Sequence, residues 1–141
     1  YKRGYIAIPV SFNGVTQQNK WTFTHEFGHM FADLADEYLL PGFGIIYPQF
    51  PNCAKDIKQA KAWLKQLDLD DSAYSNFKYK GCGGDCVLSV CSGYIRPSES
   101  SIMRDQKQGY LGFNIVSKQV IKNKLREALG MPLLEESTKL S

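Results

Sequence analysis

The sequence has only two histidines, no block of like charge, and no apolar run approaching the roughly eighteen residues that a membrane-spanning helix requires. The first scarcity confines imidazole chemistry to one place. The second and third work against partners: a net charge of +3 spread along the chain provides no basic stripe for nucleic acid, and no segment is long and apolar enough to span a bilayer as a helix. Cys-x2-Cys spacing is missing as well. Cys53, Cys82, Cys86 and Cys91 have no histidine nearby, so disulfides are expected in place of a zinc knuckle. Two bridges would require an oxidising compartment; the spacing leaves their pairing open, with reduced buried thiols as the alternative. An initiator methionine is also lacking, and the chain runs directly from Tyr1 into an apolar stretch, as expected of a processed piece of a longer protein carrying additional domains.

What is present fits one domain with a core of its own: 141 residues, 43% apolar and 13% aromatic. Both histidines lie in HEFGHMFADLADEY, 25–38. On a helix, residues four apart share a face, so His25 and His29 can close on one metal ion with Glu26 beside it. Zinc suits this HExxH spacing because it lowers the pKa of a bound water toward neutrality, where a neighbouring carboxylate can take the proton. Glu26 is placed for that role. The competing reading is an i,i+4 pair on a solvated face; Phe23, Phe27, Met30, Phe31 and Leu34 argue instead for a buried helix. Gly28, a poor helix former, predicts close approach of another backbone near the metal.

The third ligand is open among three carboxylates. Asp36, seven residues beyond His29, would sit about 10 Å too far along a straight helix. It can bind only if the helix ends near 33–35 and the chain turns back beneath the metal. Asp33 is nearer, but on a third consecutive turn, and Glu37 adjoins Asp36. Asp36 is favoured, carboxylate oxygen being an accepted zinc ligand.

Elsewhere, Tyr5 to Phe12 reads as a strand, with Pro9 marking an edge or a bulge. Beside a cleft, such an edge could pair with an extended substrate. Thr22 or Thr24 is expected to cap the active helix, starting near Trp21 or Thr24 and running to the mid-thirties. Residues 39–53 read as a loop. Asn52 is expected to cap a second helix reaching about Leu67, with Ile57, Ala60, Trp63, Leu64 and Leu67 on its apolar face. Residues 68–80 show no clear element. A third amphipathic helix spans Ile115 to Leu129 and is ended by Gly130 and Pro132. The domain is expected over 1–130, with 131–141 as a tail or linker.

Ser-Ile-Met-Arg, 101–104, is similar to the Met-turn of metzincin-type metallopeptidases, whose methionine forms an apolar floor beneath the zinc. Taken with HEFGHMFADLADEY, PNC with the helix bearing Trp63, YIRPSESSIMRD and GFNIVSKQVIKNKL, the chain resembles the M64 family of zinc peptidases, the IgA-peptidase-like metalloendopeptidases, over most of 21–125. The resemblance implies an α+β, metzincin-like zincin domain: an active-site helix, a small, partly truncated sheet, a Met-turn and a C-terminal helix. It implies a secreted or cell-surface, zinc-dependent endopeptidase acting on a protein or peptide substrate. His25 and His29 match the zinc histidines, Glu26 the catalytic glutamate, Asp36 the acidic residue of LADEY, and Met103 the turn methionine. The chain departs from the familiar metzincin pattern in having Ala32 where that pattern has glycine and Ala35 where it has the third ligand. Tyr94, Tyr110 and Arg104 are candidate donors for the oxyanion. Two rival functions are an inert zinc-binding or adhesion module and a zinc hydrolase acting on other bonds. A closed four-ligand site would favour the inert module.

Overall fold

The computed structural model describes residues 17–39, 50–84 and 91–131. The expected strand at Tyr5 to Phe12, together with Cys86 and residues 132–141, lies outside them. The described chain is mixed: three α-helices, α1 (Gln17–Ala32), α2 (Ile57–Gln66) and α3 (Ile115–Ala128), two 3-10 helices (Asp71–Phe77 and Gln106–Leu111), and two short strands, β1 (Tyr79–Lys80) and β2 (Ile95–Arg96). The strands pair antiparallel, Tyr79 opposite Arg96 and Lys80 opposite Ile95.

α1 begins earlier than expected, and neither threonine caps it. Thr24 lies inside the helix, its hydroxyl donating to the Lys20 carbonyl one turn back at 3.0 Å. The helix also exposes more than its composition suggested. Phe23 and Met30 are 48% and 44% exposed, while His25 and Ala32 are buried, so only one face packs inward. The cap of α2 is Asp56, not Asn52: its carboxylate accepts the Gln59 N–H at 2.7 Å, and the Gln59 side chain returns to the Lys55 N–H at 2.8 Å. This reciprocal box satisfies two donors that the helix start leaves unpaired. Asn52 is drawn elsewhere by tertiary contacts described below.

α3 is capped by Asn114, whose side chain accepts the Ser117 N–H at 3.0 Å. It ends on Gly130 at φ 63°, with N–H groups of Gly130 and Met131 bonding back to the carbonyls of Glu127 and Arg126. Residues 68–80 are not featureless. Asp70 caps the 3-10 helix Asp71–Phe77 through the Ser72 N–H at 2.9 Å, a local device that has no apolar period to reveal it.

Among the described residues, three buried clusters organise the packing. Ala54, Ala60, Leu64, Ala73, Tyr74, Ile95 and Val116 join α2, β2, the first 3-10 helix and α3. Ala32, Leu34, Ile102, Met103 and Val120 join the end of α1 to the 101–104 turn and α3. Ala35, Cys53 and Cys82 form a third cluster around the Cys53–Cys82 disulfide, flanked by Phe50 and Tyr94. Cys91 is disulfide-bonded as well. These bridges are those of a chain that matures in an oxidising environment. No helix among the described residues is long and apolar enough to cross a membrane.

Candidate metal centre

α1 brings His25 and His29 together one turn apart, their Nε2 atoms separated by 3.0 Å. The opposite ring nitrogens are anchored: His25 Nδ1 donates to the Ile102 carbonyl at 2.8 Å, and His29 Nδ1 donates to the Leu34 carbonyl at 2.6 Å. A carbonyl only accepts, so each neutral ring carries its proton on Nδ1 and presents a lone pair at Nε2. Two lone pairs therefore face one another.

The third member arrives because the chain reverses. α1 stops at Ala32, Asp33 takes a left-handed backbone at φ 50°, and the Leu34 N–H returns to the Gly28 carbonyl at 3.2 Å. Aspartate tolerates that conformation better than most residues, which lets the turn form without glycine. Asp36 Oδ1 comes to 3.1 Å from both Nε2 atoms, and this buried oxygen has no hydrogen-bond donor. The condition set by helix geometry for Asp36 is thus met. Asp33 points away, 67% exposed, and pairs with Lys124 of α3 at 2.8 Å.

The donor set fits a tetrahedral cation. Ligand atoms about 2.0–2.1 Å from such a zinc stand about 3.3 Å apart, close to the 3.0, 3.1 and 3.1 Å edges found here. Among the described residues, His25, His29 and Asp36 are the one group of three such side chains within ligand reach of each other. Burial would raise the Asp36 carboxyl; when His25 or His29 takes up a second proton, its Nε2–H and positive charge outweigh this and hold the carboxyl well below the usual carboxylate range. Burial would lower His29; the Asp36 carboxylate outweighs this, and Glu26 adds to it, so the imidazole is raised above its ordinary value. Either a proton on His29 or a divalent cation relieves the crowding, and only a cation engages all three donors at once. Glu26, half-buried on α1 next to His25, is close enough for its charge to reach His29.

Met103 lies in the turn 102–104, fully buried, with its sulfur packed on α1 at Gly28. A Cβ on Gly28 would stand 2.8 Å from Met103 Sδ and 2.9 Å from Phe113 Cε1. The close approach that the glycine permits is therefore one of side chains, not of backbone as expected. The same turn holds His25 through Ile102, and its Met103 carbonyl accepts the Glu37 N–H at 2.9 Å.

Glu37 stands apart from the His25–His29–Asp36 triangle. It is fully buried, and its carboxylate accepts from Asn52 at 3.1 Å, Asn114 at 2.6 Å and Ser101 at 2.7 Å. Burial raises its carboxyl, and the three donors oppose that rise. Glycine at 84 allows a second approach: a Cβ there would meet Asp36 Oδ2 at 3.1 Å, and the Gly83 N–H donates to the Asp36 carbonyl at 2.7 Å. Arg96 pins that segment through the carbonyls of Lys80 and Gly81.

The oxyanion candidates have separate surroundings. Tyr94 is half-buried against the disulfide cluster, Arg104 donates to the Glu99 carbonyl at 3.0 Å, and Tyr110 is 73% exposed on the 3-10 helix that packs on α1. The residues that sequence reasoning missed are Asn52, Ser101 and Asn114. Asn52 and Asn114 are polar residues beside apolar neighbours, a weak signal, whereas Ser101 follows the polar run 98–100 and gave none. No family model matches the chain, and no curated protein matches it.

Proposed function

We propose that this chain is a zinc-dependent endopeptidase with a metzincin-like domain resembling the M64 family, working in a secreted or cell-surface setting. The observation that carries the reading is the triangle of His25 Nε2, His29 Nε2 and Asp36 Oδ1, with edges of 3.0–3.1 Å and Glu26 one residue from the first ligand. Three protein donors are the number that a catalytic zinc takes, whereas a structural one usually takes four. Zinc held there supplies a Lewis acid that brings a water's pKa to about 7 and polarises a carbonyl.

The chain's own residues do the rest. Glu26 accepts the proton of the attacking water and returns it to the leaving amine as the peptide bond breaks. Anchored by Ile102 and Leu34, the two imidazoles keep their Nε2 lone pairs aimed inward through the cycle. Asp36, a carboxylate at neutral pH, contributes negative charge that strengthens cation binding. The disulfides suit an extracytoplasmic setting.

The test is elemental analysis combined with hydrolysis of an unstructured protein and of small esters. Wild type should hold about one zinc per chain, as a three-ligand site implies, and cleave the protein in preference to the esters. Glu26→Ala should keep the zinc and lose hydrolysis. Activity surviving in Glu26→Ala, or wild type holding no zinc after reconstitution, would sink the proposal.

A further inference from the structure

Asn52 sits fully buried 17 residues beyond Ala35, and its side chain takes both backbone groups of that residue. The Ala35 N–H donates to Asn52 Oδ1 at 2.8 Å, and Asn52 Nδ2 donates to the Ala35 carbonyl at 2.8 Å. These two bonds hold the peptide planes on either side of Ala35. One plane contains the Leu34 carbonyl that anchors His29; the other leads directly into Asp36. The same Nδ2 also bonds Glu37 at 3.1 Å, so one side chain grips both neighbours of Asp36.

Glu37 carries the connection onward. Ser101 donates to it at 2.7 Å while accepting the Met103 N–H at 3.1 Å, which ties the carboxylate to the turn whose Ile102 carbonyl anchors His25. Asn114, the cap of α3, donates to Glu37 at 2.6 Å. All three donors of the triangle are thus oriented through one buried polar cluster. Covalent support is adjacent, since Cys53 bonds to Cys82 in the segment that passes over Asp36.

We propose that Asn52 and Glu37 are positioning residues for the metal: through the Ala35 peptides and the 101–103 turn they set the directions of His29, Asp36 and His25. This rests on the zinc reading above. Residues that orient metal ligands without touching the metal typically change affinity by about 10- to 100-fold when removed. A purely structural residue would lower stability and leave the affinity of the folded protein unchanged.

The experiment measures zinc dissociation constants by chelator competition on the whole chain, for wild type, Asp36→Ala, Asn52→Ala and Glu37→Gln, each checked for folding by circular dichroism. Cobalt absorption spectra report ligand geometry. Folded Asn52→Ala should bind zinc about 10- to 100-fold more weakly and show a shifted cobalt spectrum. Glu37→Gln keeps an oxygen for Asn52 and Asn114 but changes the group facing Ser101, so it should lose a smaller factor. If Asn52→Ala does not fold, Glu37→Gln decides: weaker zinc binding supports the proposal, and unchanged binding overturns it. Zinc lost from Asp36→Ala but held normally by folded Asn52→Ala would overturn the positioning role and leave the zinc reading standing. Wild type without zinc affinity would overturn both.

Discussion

Replacing Gly28 with alanine should cost stability, although alanine is the better helix former by about 1 kcal/mol. The added methyl would meet Met103 Sδ at 2.8 Å, Phe113 Cε1 at 2.9 Å and Leu34 Cδ1 at 3.3 Å, against about 3.5–4.0 Å for an unstrained contact. Met103 is fully buried among Ala32, Leu34, Ile102 and Val120, so its sulfur has little room to retreat. Overpacking of this kind costs about 1–3 kcal/mol. Subtracting the propensity gain leaves a net loss of about 1 kcal/mol, within a range of about 0–2.

Urea unfolding of the chelator-treated protein measures this directly. Shortening the sulfur side chain should relieve part of the clash, so the penalty for Gly28→Ala should shrink in a Met103→Ala background, as expected of residues in contact. Zinc affinity should fall too, because displacement of the turn moves the Ile102 carbonyl that holds His25. If Gly28→Ala proved more stable than wild type by about 1 kcal/mol, the close packing of the turn on α1 would be refuted.

Asp33→Asn, which keeps the tolerance of the left-handed backbone, should leave zinc affinity unchanged and alter stability by less than about 1 kcal/mol, since the pair with Lys124 is exposed; urea melts and chelator competition check both, and loss of zinc would return Asp33 to the ligand set. Tyr74 gives a pH test. Burial, with a smaller contribution from Glu37, pushes its hydroxyl well above 10.0, and that hydroxyl donates to the Pro51 carbonyl. Above pH 10.0 the unfolded chain gives up this proton while the folded chain keeps it. Stability should therefore fall as pH rises, by up to about 1.4 kcal/mol per pH unit for one proton. Tyr74→Phe should remove that part of the slope while costing about 1 kcal/mol at neutral pH; an unchanged alkaline slope would count against the buried hydroxyl.

His25, Glu26 and His29 were legible in the sequence because an α-helix imposes its own period: residues four apart share a face whatever surrounds them. The second and third helices were legible for the same reason, and only their ends moved. Asp56 caps α2 in place of the expected Asn52 because a cap is a local bond that an aspartate four residues on makes equally well, while Asn52 is held by Ala35 and Glu37. Helix geometry favoured Asp36 over Asp33 and Glu37, but no local rule could close the choice. All three are short acidic residues within five positions, and their fates depend on where the chain turns. Tertiary structure decided it: reversal at Asp33 sends that side chain to Lys124, Asp36 to the histidines, and Glu37 inward to Asn52, Ser101 and Asn114. Periodicity is a property of neighbours in sequence, so the histidine pair could be read from the chain alone. The place of Asp36 depends on where the chain turns back, and the polar cluster behind it joins residues up to 77 positions apart; only packing brings those together.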